Sequence, residues 1–263
     1  MYTIISQSSI IEKSHSALIC RFEKMFRVNT LLWSANVKKE KGVCARKLFW
    51  ILLSLVFTGK KFNTWMTISN EDGTDRGFEK DAVYRLLNCT TINWFSFLAQ
   101  LAHSVIVKFI KPLTDEKRRC GMIVDDTFLG RTRSKHVELA SLVHDHTDGK
   151  CKRGFRLLTL GFSDEVSFIP MMFRLLASKQ PHLRTNKPNE KQHHKNSLAA
   201  KRREDALTSA PDLMLQMLGN SVKMGTPAKH VLFDSWFSAP KTLVATAIPT
   251  SPLKPLDTIT YKQ

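Results

Sequence analysis

The run Gly121-Met-Ile-Val-Asp-Asp-Thr-Phe-Leu-Gly130 (GMIVDDTFLG) decides how the rest of the chain is read. Three apolar residues, Met122 to Val124, lead into two acids and a threonine, the pattern of a strand that delivers carboxylates at its C-terminal end. A second apolar run, HVLFD from His230 to Asp234, ends the same way, and Asp234 lies 108 residues beyond Asp126. In a mixed sheet the two strands can lie side by side. Hard cations such as Mg²⁺ bind through one or two carboxylates and keep their other positions for water and substrate phosphate. A pair of such ions about 4 Å apart serves both the attacking and the leaving oxygen of a phosphodiester. Aspartate at a strand end also works as a turn residue or helix cap, so spacing alone leaves both readings open.

Outward from these runs, FRLLTLGF (Phe155 to Phe162) and VSFIPMMFRLL (Val166 to Leu176) predict two antiparallel strands joined by the polar turn at Ser163-Asp164-Glu165. From Ser178 to Arg203 the chain is a basic loop with eight Lys+Arg and one acid, Glu190. Helical periodicity follows from Glu204 to Gly225, interrupted at Pro211. N-terminal to all of this, about Ile10 to Leu113, apolar residues recur every three or four positions, which predicts a helical domain. Within it FEKDAVYRLLN (Phe78 to Asn88) reads as an amphipathic helix with Ala82, Val83, Leu86 and Leu87 inward, and Ile92 to Ile110 as another. A helix pair with a basic face fits DNA binding, as does any solvated bundle. The boundaries expected are 1–118 for the helical, DNA-binding part, 119–245 for the sheet, and 246–263 for an irregular tail.

Composition narrows the partners. The 263 residues carry 40 Lys+Arg against 23 Asp+Glu, a formal charge of +17, which favours polyanions through counterion release. Nucleic acid leads and an anionic membrane surface follows. The longest apolar run, Leu48 to Thr58, is shorter than the roughly 18 residues of a spanning segment, and is read as a buried helix. The N-terminus lacks the features of a secretory leader, so a cytoplasmic, nucleoid-associated location is expected. The five cysteines are scattered with no CxxC pair, against a disulfide framework or zinc finger. His144-Asp145-His146 with Cys151 has metal-ligand residue types but sits in a polar, glycine-containing turn. A DxDxT phosphatase is excluded because Asp125 and Asp126 are adjacent.

Three motifs in order carry a resemblance: IVDDTFLGRTRSKHVELAS (Ile123 to Ser141), KRGFRLLTLGFSDEVSFIPMMFRLLAS (Lys152 to Ser178) and HVLFDSWFSAPKTLVA (His230 to Ala245). With FEKDAVYRLLNCTTINW (Phe78 to Trp94), the chain resembles the DDE transposases of bacterial insertion sequences over roughly Phe26 to Ala245. The resemblance implies an α/β fold: an N-terminal helical domain followed by a ribonuclease H-like mixed-sheet catalytic domain, with the catalytic acids on its first and fourth strands. It implies Mg²⁺ (or Mn²⁺) held by Asp126 and Asp234, with Asp125 the alternate to Asp126. It also implies DNA as partner, both transposon ends and target, with pairing of two copies and neither membrane nor small-molecule substrate. Water would cleave the element's end and the freed 3' hydroxyl would attack target DNA.

The family's third ligand is a glutamate well downstream of the second aspartate, and no Glu follows Asp234 in these 263 residues. Asp257, in the proline-rich stretch after Leu243, is a poor substitute. The expectation is an incomplete, truncated copy with negligible strand transfer, an uncovered sheet edge and a tendency to aggregate. The alternative function is a non-catalytic DNA-binding remnant that interferes with full-length transposase. A third is a basic helical protein that binds RNA or a membrane surface. For DNA contacts the positions chosen are Arg131, Arg133 and Lys135 beyond the first acids, and Lys201, Arg202 and Arg203 near the later helix. Among Trp94, Trp236 and Phe237, aromatics that could stack on bases, buried packing is expected for at least two.

Overall fold

The computed structural model describes residues 17–38, 42–71, 77–134, 136–145, 149–186, 196–240, 242 and 257–261, with the backbone alone for 68–71 and 257–261. They form two compact units, Met1–Phe97 and Leu98–Gln263. The division falls inside a helix, Trp94–Val105, and not at the expected residue 118.

The first unit is helical. Helices α1 (Val28–Ser34), α2 (Ala45–Thr58), α3 (Phe62–Glu71) and α4 (Lys80–Leu87) are followed by the start of α5 (Trp94–Val105). The apolar run predicted to be buried is α2, but only one face is: Leu48 and Leu55 are inside, while Val56 and Phe57 are 74% and 57% exposed. Phe49 of α2 packs edge-on against Phe97 and stacks near Trp94, so Trp94 is an internal packing residue. In α4, Ala82, Val83 and Leu86 point inward as predicted, whereas Leu87 is 52% exposed. Two turns of a helix bury a stripe of about three to four such residues, and Leu87 falls past its edge.

The second unit is a mixed sheet backed by helices. β1 (Gly121–Gly130), β2 (Ser141–Asp145), β3 (Lys150–Ser163), β4 (Phe168–Leu176), β5 (His230–Asp234) and β6 (Asp257–Tyr261) pair in the order β2-β3-β1-β5-β6, with β4 also on β3. β3 runs antiparallel to β1, β2 and β4, and β5 runs parallel to both β1 and β6. The hairpin predicted around Ser163-Asp164-Glu165 is β3–β4. An unexpected one, β2–β3, precedes it, so Asp234 ends the fifth strand and not the fourth.

The stretch after Leu243, expected to be irregular, contributes β6. Its five residues pair with the whole of β5, so β5 is an interior strand and the open edge foreseen there is covered. The expected basic loop likewise gives way at residue 198 to helix α6 (Leu198–Leu207), N-capped by Ser197. Pro211 does not interrupt the next helix, α7 (Ala210–Lys223), but sits in its first turn, where the missing N–H is not needed.

One face of the sheet is dry. Met122, Val124, Leu158, Leu160, Phe162, Val231 and Phe233 pack against Leu213, Met214, Met217 and Leu218 of α7. Ala99 and Ala102 of α5, with Ile106 and Ile110 of the π-helical turn that continues it, join the same core at three- and four-residue spacing.

Two devices hold the sheet's geometry. Gly154 faces Gly130 on β1 and Ser141 on β2, and a Cβ there would stand 2.3 Å from the Leu129 carbonyl oxygen and 2.6 Å from the Phe128 ring. Because a backbone atom cannot swing aside, Gly154→Ala is expected to cost about 1–3 kcal/mol. At Gly161 the added Cβ meets only the ring of Phe168, which is 54% exposed and can move. Gly161→Ala should therefore melt closer to wild type than Gly154→Ala in parallel thermal scans.

The second device is Asp164 in the β3–β4 turn, 2% exposed. Burial pushes its carboxyl up, but hydrogen bonds from the Ser167 and Val166 amides, the Thr114 hydroxyl and Arg118 outweigh it and hold it below its ordinary value. A depressed folded value means stability present above the unfolded pKa of about 4 and lost as pH falls through the folded one. Wild type should therefore melt above Asp164→Asn at pH 7, by on the order of 2 kcal/mol in stability, with the gap closing below about pH 4. A gap that is constant from pH 7 to 3 would contradict this.

Candidate active site at the carboxyl ends of β1 and β5

The register of β1 on β5 arranges the acids. Gly121 lies level with His230 and Val124 with Phe233, the last pair of the ladder; carried on by one step, the same register would bring Asp125 level with Asp234. Level residues on parallel neighbours share a face, and the strands are about 4.8 Å apart. Since Val124 and Phe233 point into the α7 core, Asp125 and Asp234 point out of the opposite face, Asp125 exposed and Asp234 half-buried. The Asp125 carboxylate accepts from the Asp126 amide at 2.8 Å, and that of Asp234 from the Ser235 hydroxyl at 3.0 Å.

Asp126, the first choice from sequence, lies on the other face by strand alternation. Its carboxylate is ion-paired with Arg156 of β3, a diagonal neighbour because Asp126 faces Leu158 and Phe128 faces Arg156. The same guanidinium stands 5.5 Å over the ring of Trp236, in the 3₁₀ turn Ser235–Phe237 that follows Asp234. Trp236 is 65% exposed, while its neighbour Phe237 is fully buried in the core. Two of the three aromatics considered for stacking, Trp94 and Phe237, thus serve packing.

Two oxygen donors on one face of adjacent strands suit a hard cation that completes its shell with water and phosphate. Among the described residues no cluster of three or more His, Cys, Asp or Glu stands ready to enclose a metal. Asp257 faces His230 at the opposite end of β5, four residues and about 13 Å from the level of Asp234. His146 and Lys135 lie outside the described residues.

A family model described as a DDE superfamily endonuclease matches residues 45–249. The chain belongs to that family. No curated protein matches the chain. The DDE endonuclease match covers the helical part from α2 onward and both acid-bearing strands, and it fits the mixed sheet of the second unit. Such endonucleases generally work with divalent metal ions on a nucleic-acid backbone. Among the described residues of this DDE endonuclease no helix is long and apolar enough to cross a membrane.

The basic residues chosen from sequence are scattered over the DDE domain. Arg131 and Arg133 are exposed beyond the end of β1, Arg131 about 20 Å along the chain from Asp125. Lys201 is exposed on α6 and Arg202 half-buried. Arg203 ion-pairs with Glu138 at 3.1 Å, and Arg174 on β4 with Asp205, so these charges fasten α6 and are poor candidates for phosphate. Among the described residues Arg156 is the cation that pairs with Asp126, and sequence reasoning passed over it. Its only signal was position: a lone arginine in the alternating run FRLLTLGF, which the β3–β1 pairing carries to the carboxylates.

Proposed function

We propose that this chain is an insertion-sequence transposase of the DDE type, acting on DNA through Asp125 and Asp234. What supports the reading is the parallel β1–β5 register, which carried one step past Val124 and Phe233 would bring Asp125 level with Asp234, in a chain of an endonuclease family. A divalent ion held by that pair would activate the attacking oxygen and stabilise the leaving one in an in-line phosphoryl transfer. Asp125 and Asp234 supply the hard oxygen ligands, and the Ser235 hydroxyl orients the Asp234 carboxylate. The net charge of +17 brings DNA to the surface, and Arg131, Arg133, Lys135 and Lys201 remain proposed phosphate contacts.

A second reading, DNA binding without cleavage, is favoured by one observation. Asp257, the acid of β6, is level with His230 at the opposite end of β5 from Asp234 and does not join the pair. Supercoiled DNA bearing a candidate element end, with Mg²⁺ or Mn²⁺, separates the two. Nicking by wild type and none by the Asp125→Ala, Asp234→Ala double variant supports transposase chemistry. Salt-sensitive binding without nicking supports the second reading, and absence of both overturns the assignment to DNA.

A further inference from the structure

The histidine and cysteine that the sequence places in a polar turn belong instead to two paired strands. His144 of β2 is level with Cys151 of β3 in the antiparallel ladder, and both are exposed. We propose that this pair binds a divalent cation of the Zn²⁺ class, one that prefers thiolate and imidazole, at a site separate from Asp125 and Asp234.

Residues directly opposite each other in an antiparallel ladder share a face, with Cβ atoms about 4.5–5.5 Å apart. A zinc ion about 2.3 Å from a sulfur and about 2.0 Å from an imidazole nitrogen sets those donors about 3.6 Å apart. A thiol one bond beyond its Cβ and a ring nitrogen two or three bonds beyond meet that separation with no movement of the strands. Alternation also sorts the charges. Asp145 is turned to the other face, where Lys152 holds it at 3.0 Å, so it adds no hard oxygen to the pair. Arg153 shares the face of Cys151 but directs its guanidinium to the Ser134 carbonyl oxygen, at 3.1 Å. Among the described residues no third His, Cys, Asp or Glu joins the two, so water completes the shell. Sulfur and nitrogen donors select a borderline-soft ion, whereas the oxygens of Asp125 and Asp234 suit Mg²⁺. The thiol binds as thiolate, so one proton passes to solvent for each ion bound.

The test adds Co²⁺ alone to the full, reduced chain, because a cobalt–thiolate bond absorbs in the near ultraviolet and a cobalt–carboxylate bond does not. Wild type should show a saturable band that Zn²⁺ abolishes and excess Mg²⁺ leaves in place. Cys151→Ser should lose the band, and His144→Ala should weaken Co²⁺ binding at least about tenfold. His144→Cys, which keeps a donor at that position, should bind at least as tightly as wild type. The Asp125→Ala, Asp234→Ala double variant should keep the band. Both hairpin residues are exposed, so thermal unfolding of the metal-free variants should match wild type. A band that survives Cys151→Ser, an affinity unchanged in His144→Ala, or no band with wild type overturns the site and leaves the DNA reading untouched.

Discussion

Asp234→Asn and Asp125→Asn should each lower Mg²⁺-dependent nicking by on the order of a thousandfold, about 4 kcal/mol of transition-state stabilisation, while Asp126→Asn should stay within about tenfold of wild type. The difference follows from strand alternation. Asp125 shares its face and level with Asp234, whereas Asp126 is turned to the other side and neutralised by Arg156. Amide for carboxylate removes charge and one oxygen donor with little change in shape, so the loss is of ligand and not of fold. Metal affinity provides a reading independent of turnover. Calorimetric Mn²⁺ binding should weaken at least about tenfold for Asp125→Asn and Asp234→Asn and change little for Asp126→Asn. An equal loss in Asp126→Asn would return that residue to the ligand set and discard the register argument.

Leu158→Ala should be the most damaging of the single core truncations. Leu158 is fully buried at the centre of β3, across from Asp126, in the layer that α7 covers. Removing three carbons there costs the transfer free energy and leaves a cavity that strands fixed on both sides cannot close. The cost is about 3 kcal/mol, a fall of roughly 10 °C in the melting of a unit this size. Leu157, the next residue, points to the opposite face and is only half-buried, so Leu157→Ala should cost less than half as much. Equal shifts for the two would mean that the faces of β3 are not distinguished as described.

The sequence made β1, the β3–β4 hairpin and β5 legible because each is an apolar run bounded by acids or a polar turn. It hid β2 and the first part of β3, because SLVHD and KCKRG are polar or short and become strands only through each other. β6 was hidden by its surroundings: DTITY is a five-residue run with three β-branched residues behind a proline-rich stretch, and its role depends on β5 accepting it as a parallel neighbour. The same limit applied at the site. Asp125 and Asp126 are chemically alike and adjacent, and nothing local separates them. What separates them in the fold is Val124, whose burial sets Asp125 and Asp126 on opposite faces of β1, and the proposal of Asp125 rests on that alternation. Arg203 illustrates the converse, a cation that reads as a DNA contact in a basic stretch and is occupied by Glu138 once α6 docks.

The parallel pairing of Gly121 with His230 joins residues 109 positions apart in the chain. During synthesis at roughly 5–20 residues per second, β1 emerges and waits on the order of 5–20 s before β5 exists to cover one of its edges. β3 closes the other edge within about 40 residues, so the nascent intermediate is a half-sheet with one open, apolar rim. Its fate at the ribosome exit, capture by a chaperone or by a neighbouring nascent chain, is decided in that interval, before either aspartate has its partner.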